Sequence, residues 1–212
     1  SRGRRALEPQ DAAFGHQHVE RCVVRFAGEL GDHLDVDGSA KIALDCSPGF
    51  SAYRFIESKQ AHQAELQAMI DAHPNGRRAR IARQTAENML DIVLLGYDWK
   101  RTRGVLFLDP FGLQCNWQML QQIRRTEALD VFFLVSLSGL YRQAAVQEAK
   151  VDAGKASKLT SFLGTEAWRD AIYTTVQGDL FSGTQRSRTP GWEDLLNFTT
   201  QRLRELFPYV GD

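Results

Sequence analysis

Three observations predict an α/β fold with a mostly parallel sheet. First, the short apolar runs "AYRFIES", "GVLFLD" and "LDVFFLVSL" alternate with longer segments of helical character. Second, "GVLFLD" and "LDVFFLVSL" are nearly continuous in apolar residues, as expected of strands covered by helices on both faces. Third, the chain of 212 residues is 43% hydrophobic and 25% charged, the size and balance of an α/β domain.

Taken in order, residues 1–15 have no hydrophobic period and read as a mobile arm. Residues 16–212 read as one α/β domain. Val19, Cys22, Val23, Phe26, Ala27 and Leu30 fall on one helical face, which predicts an opening helix over 16–30 with Gly31 as its C-cap. Ser39 is placed to cap a turn of helix in "AKIALD". "AYRFIES" is a strand ending at Glu57, and Lys59 to Ala72 is helical up to the breaker "HPNG". "ARIAR" is a weak strand and "AENMLDIVLL" a short helix. "GVLFLD" is a strand, Trp117 to Thr126 a helix, and "LDVFFLVSL" a second fully buried strand. Residues 141–188 read as a polar, alanine-rich helical insertion. A last amphipathic helix, "GWEDLLNFTTQRLRELF", is capped near Thr189-Pro190.

Composition excludes several classes. The formal net charge is zero, so no global field steers the chain to nucleic acid or to an anionic membrane. Two local groups remain, Arg77, Arg78, Arg80 and Arg83, and Lys100, Arg101 and Arg103. Each reads either as a solvated face or as a groove that follows phosphates. No apolar run is long enough to span a bilayer. Cys22, Cys46 and Cys115 fit neither a zinc spacing nor a disulfide framework, and a reducing cytoplasm is expected. His16, His18 and His33 lack metal-ligand spacing, so no metal is predicted. Walker, Ser-His-Asp and EF-hand patterns are absent.

The chemistry gathers at strand ends. In an open parallel sheet, ligands sit beyond the carboxyl ends of the strands, near the switch point. Glu57 closes one strand, and an ionised carboxylate there can accept both hydroxyls of a ribose. "VLFLDPFGLQCNW" closes another with Asp109, Pro110, Phe111 and Gly112: an acid, a residue that turns the chain, an aromatic able to stack on a base, and a glycine. Such an acid-Pro-aromatic run after the fourth strand is what nucleoside-modifying methyltransferases use. Trp117 extends the aromatic character, as a wall for a flipped base or as core beneath the Asp109 loop.

With "DGSAKIAL", "YRFIES", "IRRTEALDVFFLVSLSG" and "LRELFPYV", the Asp109 stretch resembles the three-Cys-motif partner (TcmP) family over roughly Gly38 to Val210. Thr126 and Asp130 complete its specific part. The resemblance implies a class I, S-adenosylmethionine methyltransferase-like Rossmann fold. It also implies a radical-SAM-type iron–sulfur partner that carries the three cysteines, which are therefore not Cys22, Cys46 and Cys115. By the same resemblance Glu57, Asp109 and Thr85 are cofactor-binding positions, Asp109 to Gly112 the reaction centre, and Tyr141 and Arg142 substrate contacts with Trp117.

The sequence departs from the family pattern twice. The family's first strand and glycine turn, of the type "YIDxFAGPG", would precede the Gly-Ser segment. "VVRFAGELG" carries helical period and no acid before Phe26, so the first strand is expected to be absent from the chain or to lie in a mobile segment. After the third strand, Thr85 or Glu87 stands where the family tends to place an aspartate facing the adenine amine. Two functions are therefore in view: a methyltransferase-like enzyme acting on nucleic acid or alongside its iron–sulfur partner, and a non-catalytic Rossmann-like binding subunit of that partner.

Overall fold

The computed structural model describes residues 20–26 (their backbone), 38–83, 90, 93–110, 112–177 and 184–211. The arm over 1–15, the Gly31 cap, Phe111, Thr85, Glu87 and most of the helix expected in "AENMLDIVLL" lie outside the described residues.

Five parallel strands form the central sheet: β1 (Glu20–Phe26), β2 (Ala52–Ile56), β3 (Ala79–Ala82), β4 (Thr102–Leu108) and β5 (Leu129–Phe133). Their order is β3-β2-β1-β4-β5, so the winding reverses between β1 and β4. This corrects the reading of the first strand. It is present as β1, at the centre of the sheet, where an opening helix was expected. It pairs with β2 from Cys22↔Ala52 to Phe26↔Ile56 and with β4 from Glu20↔Thr102 to Phe26↔Leu108. The helical spacing of Val19, Cys22, Val23 and Phe26 misleads because charged and apolar residues alternate irregularly in "ERCVVRF". Its short apolar run then fits either period.

Alternation along the strands builds two cores. Tyr53 and Phe55 of β2 face one side with Val105 and Phe107 of β4. There they pack on α1 (Ser39–Asp45), through Ala40, Ala43 and Leu44, and on α2 (Gln60–Ala72), through Leu66 and Ile70. Ile56, Leu106 and Leu108 face the other side, against Leu90 and Val93 and against Met119, Leu120 and Ile123 of α3 (Trp117–Arg125). Asn116 caps α3 by accepting from the Met119 N–H at 2.9 Å. Ser39 is not a cap: Gly38 holds that position, and Ser39 is the first helical residue.

β5 is an edge strand, not a fully buried one. Leu129, Val131 and Phe133 pack on the α3 side, whereas Phe132 and Leu134 are 59% and 64% exposed. Beyond it, α4 (Leu137–Gln143), α5 (Ala153–Leu163), α6 (Trp168–Ile172) and α7 (Glu193–Leu206) enclose a third core around Leu140, Leu159, Phe162, Leu163 and Trp168. Residues 141–188 are not wholly helical. An antiparallel hairpin of β6 (Tyr173–Gln177) and β7 (Thr184–Arg188) lies within them. Its β-branched Thr174, Thr175 and Val176 favour extended backbone over helix. The cap of α7 is Trp192, not Thr189-Pro190, and Glu193 and Asp194 complement the helix dipole in its first turn. No described helix is long and apolar enough to cross a membrane.

Candidate functional site at the carboxyl ends of the strands

Parallel pairing fixes where the acids sit. Ile56 and Leu108 both register with Phe26, so Glu57 and Asp109 leave the sheet on either side of the end of β1. Two strand spacings separate their backbones, about 10 Å. In sequence β1 is followed by "AGELG", Ala27 to Gly31, which lies outside the described residues. Of the two departures from the family's glycine turn, the helical period falls with β1 in place, while the lack of an acid before Phe26 remains.

Glu57 is held rigidly. It is 4% exposed, and its Oε1 accepts the Lys59 N–H at 2.8 Å, just before α2 begins. Its backbone N–H donates to Ala82 O at 3.2 Å, and its carbonyl accepts from Gln63 Nε2 at 2.6 Å. The other carboxylate oxygen, Oε2, lies 3.7 Å from His62 Nδ1, an ion-pair distance but too long for a hydrogen bond. That ring nitrogen is buried and makes no hydrogen bond among the described residues. Sequence reasoning missed His62 and Gln63. The available signal was their position in the first turn of a helix that starts three residues after a strand-ending acid.

Asp109 and Pro110 are half-buried, and the chain turns at Gly112, whose φ of 63° is a left-handed conformation that favours glycine. The turn abuts the start of α4. A Cβ on Gly139 would lie 3.4 Å from Gly112 Cα and 2.9 Å from Ser136 Oγ. Ser136 caps α4 by accepting from the Gly139 N–H at 3.1 Å. The structure thus brings Glu57, Asp109, Pro110, Gly112 and the Ser136–Gly139 turn to one edge of the sheet.

The other expected site residues have partners of their own. Tyr141 stacks under the Arg188 guanidinium, 3.6 Å from its ring centroid. Arg188 is buried, and its Nε donates to Ala144 O at 2.8 Å. Arg142 is exposed in the last turn of α4. The Trp117 ring lies between Gly164, where a Cβ would collide with the indole, and Arg202, 4.5 Å above it. Thr126 closes α3 by donating its hydroxyl to Ile123 O at 2.8 Å, and Asp130 pairs in register with Val105. No group of His, Cys, Asp and Glu suited to a metal ion occurs among the described residues.

No family model matches the chain. A curated protein named "Protein RecA, plasmid", from Lactococcus lactis subsp. lactis, is similar to it at 23% identity over 167 residues. That similarity covers 75% of this chain and 47% of the relative, so the chain spans about half the length of the curated relative it matches. The Gly-x-x-x-x-Gly-Lys-Ser/Thr run of a P-loop, which would cradle nucleotide phosphates, is absent from the sequence.

Proposed function

We propose that the chain is a Rossmann-like, class I methyltransferase-like domain that holds S-adenosylmethionine across the carboxyl ends of β2, β1 and β4. The single observation that carries this reading is the register that sets Glu57 and Asp109 on either side of the end of β1, at the point where the winding reverses. Gly28 and Gly31 of "AGELG" follow the same strand in sequence, where the family pattern carries its glycine turn, although no acid precedes Phe26. The resemblance to the three-Cys-motif partner proteins points the same way.

The acid at β2 suits a ribose. A carboxylate offers about four acceptor positions, and Glu57 uses one on the Lys59 N–H, with Oε2 making no hydrogen bond among the described residues. Glu57 would accept the ribose hydroxyls, Asp109 with Pro110 and Gly112 would line the reacting centre, and Phe111 would stack on a base. The bound cofactor supplies an activated methyl group. The chain contributes alignment, because in-line transfer depends on positioning more than on a strong acid or base. The substrate class is nucleic acid, or a nucleotide-bearing component of a radical-SAM-type iron–sulfur partner.

One observation favours a second reading, a non-catalytic binding subunit of that partner: Glu57 is buried and already bonded to the start of its own α2, a sufficient structural role. Calorimetry separates the two. The enzyme reading expects binding of S-adenosylmethionine and S-adenosylhomocysteine that Glu57→Gln weakens by about tenfold or more with the fold retained. Absence of heat at millimolar ligand, with Glu57→Ala lowering only the melting temperature, overturns it in favour of the binding subunit.

A further inference from the structure

From the middle of β2 and β3 towards the amino end of the sheet runs a second set of groups that the proposed cofactor site does not use. Arg54 of β2 and Arg80 of β3 are cross-strand neighbours in register, on the face that also carries Ile56. Like charges placed directly opposite destabilise a sheet, and no described carboxylate pairs with either. Arg80 alone would be explained as a charge guarding the edge strand β3 against aggregation. Arg54 escapes that explanation, because β2 is paired on both sides, with β1 and β3.

Arg54 leads into an aromatic cleft, whereas Arg80 lines a separate groove beside α2 with Asp71, His73 and Arg77. Arg54 sits over the Tyr97 ring at 5.7 Å, and Tyr97 packs against Trp99 with centroids 5.4 Å apart. Trp99 is fixed by donation from its Nε1 to Leu94 O at 2.7 Å. Both aromatics line a cleft of about 810 Å³ together with Lys100, Arg103 and Arg125. Asp98 and Glu127 also line it. Asp98 accepts the Lys100 N–H at 3.1 Å, and Glu127 is paired with Arg124. Several guanidiniums are pre-positioned on backbone carbonyls: Arg80 on Ala79 O at 2.6 Å, Arg54 on Tyr53 O at 3.0 Å and Arg103 on Trp99 O at 3.0 Å. Leu95, at the cleft margin, is 87% exposed.

We propose that this amino end of the sheet docks a single-stranded nucleic acid. Lys100, Arg103 and Arg125 around one cleft can hold phosphates of a strand, and the half-buried Tyr97 and Trp99 beside them can stack on bases of any sequence. A lipid headgroup surface would call for the charges without the enclosed aromatic pair. Along β4, the six residues from Arg103 to Asp109 put about 20 Å between the cleft and the proposed reacting centre. The cleft therefore grips a strand away from the proposed reacting centre and stands independently of the cofactor reading.

The test is fluorescence anisotropy of a labelled oligo-uridine or oligo-thymidine of about twenty nucleotides, titrated with the full chain at several salt concentrations. The triple variant Lys100→Gln, Arg103→Gln, Arg125→Gln is expected to weaken binding at least about tenfold and to reduce the salt slope by about 2. Lys158→Gln, at an exposed position of α5, should bind as the parent does. Arg125→Glu alone, at an exposed position, covers the case in which the triple variant fails to fold, and should weaken binding several-fold. Oligonucleotide addition should also quench Trp99 emission, a change lost in Trp99→Phe. Parent-like binding by both cleft variants overturns the proposal. So does capture by phosphatidylserine vesicles that the variants abolish while oligonucleotide binding persists. Loss of S-adenosylmethionine binding alone leaves it standing.

Discussion

Two glycines with the same backbone conformation serve different ends, and substitution tells them apart. Gly112 has φ 63° with nothing within 4 Å of where a Cβ would project, so Gly112→Ala carries only the backbone penalty, roughly 1–2 kcal/mol. Gly164 has φ 72° at the end of α5, and a Cβ there would collide with the Trp117 indole. Gly164→Ala should therefore lower the urea midpoint more than Gly112→Ala does, and equal losses would contradict the packing described for Trp117. Tyr173 makes a second prediction at this scale. Burial, the largest influence, raises its phenol above the ordinary value of 10.0, while the positive charge of Arg188 opposes the shift. The folded chain thus holds this proton more tightly than the unfolded one does. The stability from Tyr173 is complete below pH 10 and is lost as pH rises through the higher folded value. An ultraviolet titration should show one tyrosine ionising late, and Tyr173→Phe should remove that step. Among the site residues, Glu57 and Asp109 were legible in the sequence because an acid that ends an apolar run is visible without a structure. His62, Gln63 and Ser136 were not, because each matters only through what the fold sets beside it.

At the scale of elements, helix ends are where local chemistry decides stability. Asp152 caps α5, accepting the Lys155 N–H at 2.8 Å, and Asp152→Ala should cost about 1 kcal/mol, a fall of roughly 2–4 °C in Tm by calorimetry. Asp45 joins two helices: it closes α1, pairs with Lys41 in its own helix, and meets His73 Nε2 at 2.9 Å just after α2. Hydrogen bonding to Lys41 first, and then to His73, holds its carboxyl below the ordinary 3.8. A depressed carboxyl stabilises the fold above its unfolded value and loses that contribution as pH falls through the folded one. Urea midpoints measured from pH 5 down to pH 2 should therefore fall less steeply for Asp45→Asn than for the parent. The elements most legible in the sequence were α2, β2, β4 and α3, each bounded by turn or cap residues. β1 escaped recognition because its apolar run is too short to fix a period, and Arg21 and Arg25, four apart, also suit a helix face. The hairpin escaped notice because most of β6 is exposed, which leaves no apolar period to read.

For the whole molecule, the α/β class followed from the alternation of segments, but strand order did not. Order is set by which edges meet in space, and the likeness of "VVRFAG" to a first strand is outweighed locally by its helical spacing. That central placement has a consequence for how the chain reaches its fold. β1 pairs with β4 across about eighty intervening positions, whereas its pairing with β2 spans about thirty. As the chain leaves the ribosome, β1 can join β2 and β3 while its other edge stays open until Leu108 has emerged. That exposed edge is a template for non-native strand addition. Slow closure by a distant partner is also what long-range parallel pairing entails. The vulnerable period in the life of this protein is the synthesis of the residues between Ala82 and Thr102.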